Sequence, residues 1–260
     1  MSDYETVKYG QDGAVATITI HRPDAMNSFN TQLRADLLSA FEKASGDESV
    51  RVVIFTGEGR SFSAGADLKD IDSAEKSVDQ MLQTEYRPVL ECMAGMKQPV
   101  IAAVGGSAAG IGMSFALAAD LLVMADNAFL LSPFTTISLV PDGGLNWLLV
   151  RQLGYRRAFQ LSVESERIDA ARCIELGLAN KAFPADALME ETMKWAQVLA
   201  ERAPQSLAAT KKAMRHAMDN SWASTFDVEA PLQKTLRNSE DFDEGVKAFF
   251  EKRKANFTGK

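Results

Sequence analysis

The stretch that most limits how this chain can fold is Pro99 to Asp120, PVIAAVGGSAAGIGMSFALAAD. Its first part is a short, continuous apolar run with no polar face, the pattern of a strand covered on both sides. Glycines interrupt it, and a helix built mostly of small residues follows. Such a strand needs layers above and below it, which points to an α/β or α+β architecture. The glycines also break the run well short of a membrane span. A chain of 260 residues is long enough to enclose a strand of this kind in a full core.

The surrounding sequence repeats the theme loosely. QDGAVATITI reads as a hairpin, with Asp12–Gly13 at the turn and a strand from Val15 to Ile20. NTQLRADLLSAFEKASG places Leu33, Leu37, Leu38 and Phe41 at helical spacing, with Asn30 or Thr31 as N-cap and Gly46 as the stop. VRVVIFTG is a second buried-strand run, followed by the glycine-punctuated loop GEGRSFSAGADLKD and a polar helix near Lys76 to Met96. DLLVMADNAFLLSP supplies another pair of strands. From Ala158 onward helical patterns dominate. The expected layout is a mixed core over residues 1–200 and a helical C-terminal region over 201–260.

Charge and special residues narrow the function. A net charge of −7 argues against a nucleic-acid surface, which depends on neutralising phosphates. Cys92 and Cys173 stand far apart with no His or second Cys nearby, so neither a disulfide framework nor a metal site is expected. The two histidines, His21 and His216, have no G-x-S-x-G elbow to serve. The polar, acid-bearing start MSDYETVKYG resembles no secretory or transit peptide, and a cytoplasmic location is the expectation.

Two loops can hold a ligand. SFSAGAD, Ser61 to Asp67, follows a buried strand, and its small residues let an oxygen approach backbone N–H groups; Asp67 could equally be a helix N-cap. GGSAAGIGMS also follows a strand and opens a helix, where free N–H donors collect. Phe115 occupies the last glycine position of a G-x-G-x-x-G pattern and no Walker lysine follows, so neither a dinucleotide nor a P-loop reading holds. Close helix–sheet packing would also explain those glycines. Together, the two turns could each give one N–H to a single carbonyl oxygen, the construction that stabilises an enolate.

HRPDAMNSF, SFSAGADL, KQPVIAAVGGSAAGIGMSFALAADLLVMADNAFL and VKAFFEKRKANF resemble, in this order, the crotonase (enoyl-CoA hydratase/isomerase) superfamily, from about residue 5 to residue 257. The resemblance implies a spiral of ββα turns with a helical C-terminal region that assembles a homotrimer or hexamer. It implies an acyl-CoA substrate in fatty acid metabolism, with coenzyme A present only as part of the thioester and no other cofactor or metal. By resemblance, the N–H groups of Ala66 and Ile111 form an oxyanion hole, and the stretch around Ala64, with Ala66, Asp67 and Leu68, cradles the CoA. Arg22 would lie near its phosphates. Phe249 and Lys252 match positions that touch CoA, often from a neighbouring subunit.

The departures set the expected chemistry. Where hydratases of this group place two glutamates around a water, this chain has Ser114 and Phe134. Neither can orient and deprotonate water as a carboxylate pair does. Asp142, after Pro141 in LVPDGGLNWLL, matches the acid of relatives that move a double bond or open an aromatic-ring epoxide. Phe134, Leu139, Val140 and Trp147 are the expected apolar company that would raise its pKa. Asp120 reads as a structural cap or partner. Lys211, Lys212 and Arg215 read as a solvated basic face, and Glu85 and Tyr86 as either an acyl-pocket wall or another solvated face.

Overall fold

The computed structural model describes residues 4–73 and 76–260. Its strands are β1 (Val7–Asp12), β2 (Val15–Ile20), β3 (Val52–Gly57), β4 (Ser61–Ser63), β5 (Val100–Val104), β6 (Ser107–Ala109), β7 (Leu121–Ala125), β8 (Phe129–Leu131), β9 (Ile168–Asp169) and β10 (Lys181–Phe183). Its helices are α1 (Thr31–Gly46), α2 (Leu68–Ser73), α3 (Val78–Met81), α4 (Arg87–Gly95), α5 (Ile111–Ala118), α6 (Leu145–Leu153), α7 (Tyr155–Glu164), α8 (Ala170–Leu176), α9 (Leu188–Ala200), α10 (Pro204–Ala217), α11 (Trp222–Arg237) and α12 (Glu240–Glu251).

The strands form two sheets, ordered β1-β2-β3-β5-β7-β10 and β4-β6-β8-β9. Three times the chain lays a strand in the large sheet, then a strand in the small one, then one or more helices: β3, β4 and α2–α4; β5, β6 and α5; β7, β8 and α6–α7. This is the expected ββα spiral. Successive strands within each sheet are parallel, the β1–β2 hairpin and the β8–β9 pair excepted. All five residues of β5 are buried, as its unbroken apolar run required. Gly106 marks the passage from β5 to β6. A Cβ there would lie 2.0 Å from the Arg60 carbonyl oxygen, so only glycine lets the two turns of the spiral approach.

Side chains between the sheets and helices fuse into one core. Phe55 packs on Phe41 and Phe62 with ring centroids 5.3 and 5.1 Å apart, and Phe29 lies 4.6 Å from Phe115. The hairpin turn at Asp12–Gly13 and the Asn30 cap of α1, whose side chain accepts from Leu33 N–H at 2.9 Å, follow the sequence reading. The span expected as glycine turn then helix contains one more element, β6. Three small residues pass for a loop in sequence because their partners are other turns of the spiral.

The C-terminal helices correct the reading of the basic cluster. Lys211 is buried, and its Nζ donates to Asp120 Oδ2 at 2.8 Å and to the carbonyls of Met93 and Gln98 at 2.9 and 3.0 Å. Arg215 pairs with Asp120 Oδ1 at 2.7 Å. These bonds fasten α10 to the core, and Asp120 is the structural partner expected of it. Burial pulls the Lys211 pKa down, against the attraction of Asp120. By contrast, α11 buries no residue in this chain, and Trp222, Phe226, Phe249 and Phe250 stand exposed.

Candidate active site

Three segments meet at the N-terminus of α5. Gly65, with φ of +106°, lies so close to the turn that leads into α5 that an added Cβ would be 3.1 Å from the Ala109 carbonyl oxygen and 3.7 Å from Gly110 Cα. The SAGAD and AAGIG turns are therefore in contact, as expected from their shared position after β4 and β6. Ala66 bridges to Phe29, with Phe29 N–H donating to the Gly65 carbonyl and Asp67 N–H to the Phe29 carbonyl. That pattern leaves the Ala66 N–H on the other side. Ile111 opens α5, where the first N–H groups have no helical acceptor. Among the described residues, neither amide makes a loop, turn, cap or side-chain hydrogen bond.

The third segment carries Asp142. Gly143 has φ of +61°, and a Cβ on it would stand 2.3 Å from Ile111 Cδ1 and 3.0 Å from Ser114 Cβ. The Pro–Asp–Gly–Gly corner is thus pressed onto the first turn of α5. Ser114 Oγ–H fixes it there by donating to the Asp142 carbonyl at 2.9 Å. One oxygen of the Asp142 carboxyl, Oδ1, is buried and, among the described residues, has no hydrogen-bond partner. Burial raises its pKa to about 6, opposed only by its own backbone amide.

The source of that burial differs from the expected one. Phe134 is buried, with its ring edge 3.9 Å from where a Cβ on Gly110 would be. Leu139, Val140 and Trp147, however, are 52%, 70% and 37% exposed, and the Trp147 indole N–H donates to Asp219. Alternation in a loop gave no basis for choosing which apolar residues face inward. The first turn of α5, through Ile111 and Ser114, forms the wall instead.

Arg22 is committed to the chain itself. Its guanidinium donates to Asp67 Oδ2 at 3.0 Å and to the backbone and hydroxyl oxygens of Ser28. Burial would raise the Asp67 pKa, but pairing with Arg22 outweighs it and holds the carboxyl below its ordinary value. Asp67 also accepts from Lys69 N–H, so its capping role and its position beside the loop coexist. Ala64 is exposed and donates its N–H to Met26 O, and Leu68 is exposed at the start of α2. Phe249 and Lys252 do not join this cluster within the chain. Phe249 lines a groove of about 610 Å³ between α10, α11 and α12 whose walls contain no residue before Ala203. Lys252 is exposed at the end of α12.

Sequence reasoning missed Arg34. It is buried, and all its N–H groups are used: Nε to Glu85 at 2.7 Å, Nη2 to Asp70 and Thr31, Nη1 to the Phe29 carbonyl and the Tyr86 hydroxyl, both at 3.3 Å. An arginine within an amphipathic helix reads as solvent-facing, and only the distant acids reveal otherwise. The solvated-face reading of Glu85 and Tyr86 is overturned by the same network. No group of three or more potential metal ligands occurs among the described residues.

A family model described as enoyl-CoA hydratase/isomerase matches residues 10–260. The chain belongs to that family, in the crotonase superfamily. This hydratase/isomerase-family protein is 38% identical over 257 residues to a probable enoyl-CoA hydratase of Rhodobacter capsulatus, covering 99% of each chain. It is 34% identical over 250 residues to the 1,2-epoxyphenylacetyl-CoA isomerase of Escherichia coli, covering 95% of each. The crystal structure of an enoyl-CoA hydratase from Bacillus anthracis superposes with a TM-score of 0.94 at 28% identity, covering 98% of this chain and 100% of that one. Family membership makes a CoA thioester the substrate type. No helix among the described residues is long and apolar enough to cross a membrane.

Proposed function

We propose that the protein is an acyl-CoA isomerase that moves a double bond between 3-enoyl-CoA and 2-enoyl-CoA. One observation carries this reading: the Asp142 carboxyl, whose buried Oδ1 has no hydrogen-bond partner among the described residues, is seated against the first turn of α5. The thioester carbonyl oxygen accepts from the N–H groups of Ala66 and Ile111. The Asp142 carboxylate takes a proton from C2, and the C–H electrons pass into a dienolate whose charge rests on that oxygen. The same carboxyl returns the proton at C4, the double bond settles between C2 and C3, and Asp142 is again ionised. A pKa near 6 suits a group that must accept and release a proton in turn near neutral pH. No cofactor enters; coenzyme A is part of the substrate, with its adenine and phosphates along Ala64, Ala66, Asp67, Leu68 and Arg22.

Hydration fits less well. At the positions expected for a second carboxylate, Ser114 spends its hydroxyl proton on the Asp142 carbonyl, and Phe134 presents a ring. Glu85 is paired with Arg34 and Lys76. Opening of an aromatic-ring epoxide to an oxepin is the second reading, supported by the similarity to the Escherichia coli isomerase. The exposed aromatics of residues 201–260 support a homotrimer or hexamer in which Phe249 and Lys252 reach a neighbouring subunit's CoA.

The test is 3-hexenoyl-CoA with the wild type and Asp142→Asn, following absorbance of the conjugated thioester. Conversion by the wild type alone, with CoA binding kept in the variant, supports the reading. Wild-type turnover in the variant refutes Asp142 as the base, and an inactive wild type that opens the ring epoxide moves the second reading to the front.

A further inference from the structure

Packed on α5, the helix that also holds the Asp142 corner through Ser114, lies a second buried polar group that the reaction above leaves idle. Tyr86 is 5% exposed, and its ring sits among Phe29 and Phe115, with centroids 5.9 and 6.4 Å away. Its position is set by a local fault in the helix. Pro88 has no N–H for the Thr84 carbonyl, and the turn Leu82–Tyr86 widens to a π-helix in which Arg87 N–H reaches back five residues to Leu82 O. Tyr86 closes that turn.

The phenol oxygen accepts a hydrogen bond from Arg34 Nη1 at 3.3 Å. Arg34 offers only donors, so the phenol proton cannot be spent there. Among the described residues nothing accepts it. Burying a donor without an acceptor is costly, and native structures rarely tolerate it without a functional reason. Asp142 carries the complementary vacancy, a buried acceptor oxygen with no donor. The two groups pack on neighbouring residues of α5, Tyr86 on Phe115 and Asp142 on Ser114, yet share no hydrogen bond. Each is anchored from behind, Tyr86 by Arg34 and the phenyl rings, Asp142 by Ser114 and the Gly143 contact with α5. They are therefore held apart with donor and acceptor both unused.

We propose that Tyr86 determines specificity by donating its phenol proton as a hydrogen bond to an oxygen on the acyl group, so that the site favours oxygen-bearing acyl thioesters over purely hydrocarbon ones. This rests on the reading that places the acyl group beside Asp142. A site with a buried donor discriminates against a ligand that leaves that donor unmet.

The experiment measures equilibrium binding of hexanoyl-CoA and of each enantiomer of 3-hydroxyhexanoyl-CoA by calorimetry. One hydrogen bond to a previously unmet buried donor corresponds to about a tenfold preference. The wild type is expected to bind one hydroxy enantiomer about tenfold more tightly than hexanoyl-CoA. Tyr86→Phe is expected to bind the two alike, with hexanoyl-CoA held at least as well as by the wild type. Equal binding of all ligands by the wild type, which needs no variant, overturns the proposal, as does a preference that survives in Tyr86→Phe. Because binding is read without turnover, the same preference in Asp142→Asn leaves Tyr86 standing even if that variant turns over normally and the base assignment falls.

Discussion

Replacing Asp142 by asparagine is expected to stabilise the fold while abolishing turnover, and the gain should depend on pH. Burial raises this carboxyl from 3.8 to about 6. At about 1.4 kcal/mol per pH unit, keeping it ionised in the folded state costs about 3 kcal/mol. The sign follows from which form the fold disfavours. Below pH 3.8 the carboxyl is protonated in both folded and unfolded chains and contributes nothing adverse. As pH rises through 3.8 the unfolded chain releases its proton first, and stability falls until the folded carboxyl ionises near pH 6. Asparagine has no such cost, although its amide must also find partners in the pocket, so about 2 kcal/mol is the expected net gain above pH 7. Urea unfolding of the two proteins at pH 8 and pH 4, at matched concentration, measures it. The variant should be more stable by about 2 kcal/mol at pH 8 and less stable than the wild type by about 0.5 kcal/mol at pH 4, where little of the carboxylate cost remains but the amide cost persists. A variant less stable at pH 8, or a difference independent of pH, would refute the claim that Asp142 is a desolvated and uncompensated carboxylate.

Turnover of 3-hexenoyl-CoA should report the same group: kcat/KM is expected to fall about tenfold per pH unit below an inflection near pH 6 and to be flat above it, and an inflection near 4 would mean the carboxyl is solvated. Gly143→Ala forces a Cβ into Ile111 and Ser114 at positive φ, and should cost about 1–3 kcal/mol of stability together with most activity, read by urea unfolding and the same assay. Arg34→Met strips a buried guanidinium from Glu85 and Asp70, which both keep some solvent. A loss of about 3 kcal/mol is expected in the same unfolding measurement, the low end for breaking a buried ion pair.

Much of this was legible in sequence wherever a local pattern determines a local structure. The β5 run, the Asp12–Gly13 hairpin and the Asn30 cap each depend on residues a few positions apart, and each forms as read. Order along the chain also placed the two glycine turns after strands, which is why Gly65 and Gly110 meet. What failed to show was any partnership across the spiral. Lys211 and Arg215 look like a wet helical face until α10 folds back on Asp120, more than ninety residues earlier in the chain. Arg34 and Tyr86 sit on different helices, and their bond has no signature within either one. The burial of Asp142 was foreseen, but its source was not, because the exposed Leu139 and Val140 carry the same apolar label as the residues that do face inward.

The most direct test of the single-carboxylate shuttle follows one atom. 3-Hexenoyl-CoA deuterated at C2 is converted in ordinary water, and the 2-hexenoyl-CoA formed is analysed for label at C4 by mass spectrometry after fragmentation. If Asp142 carries the proton between the two carbons within its buried site, a measurable fraction of the deuterium taken from C2 appears at C4. Product with no deuterium at C4, even at the earliest turnover, would mean that separate groups or bulk water handle the two transfers and would contradict the account.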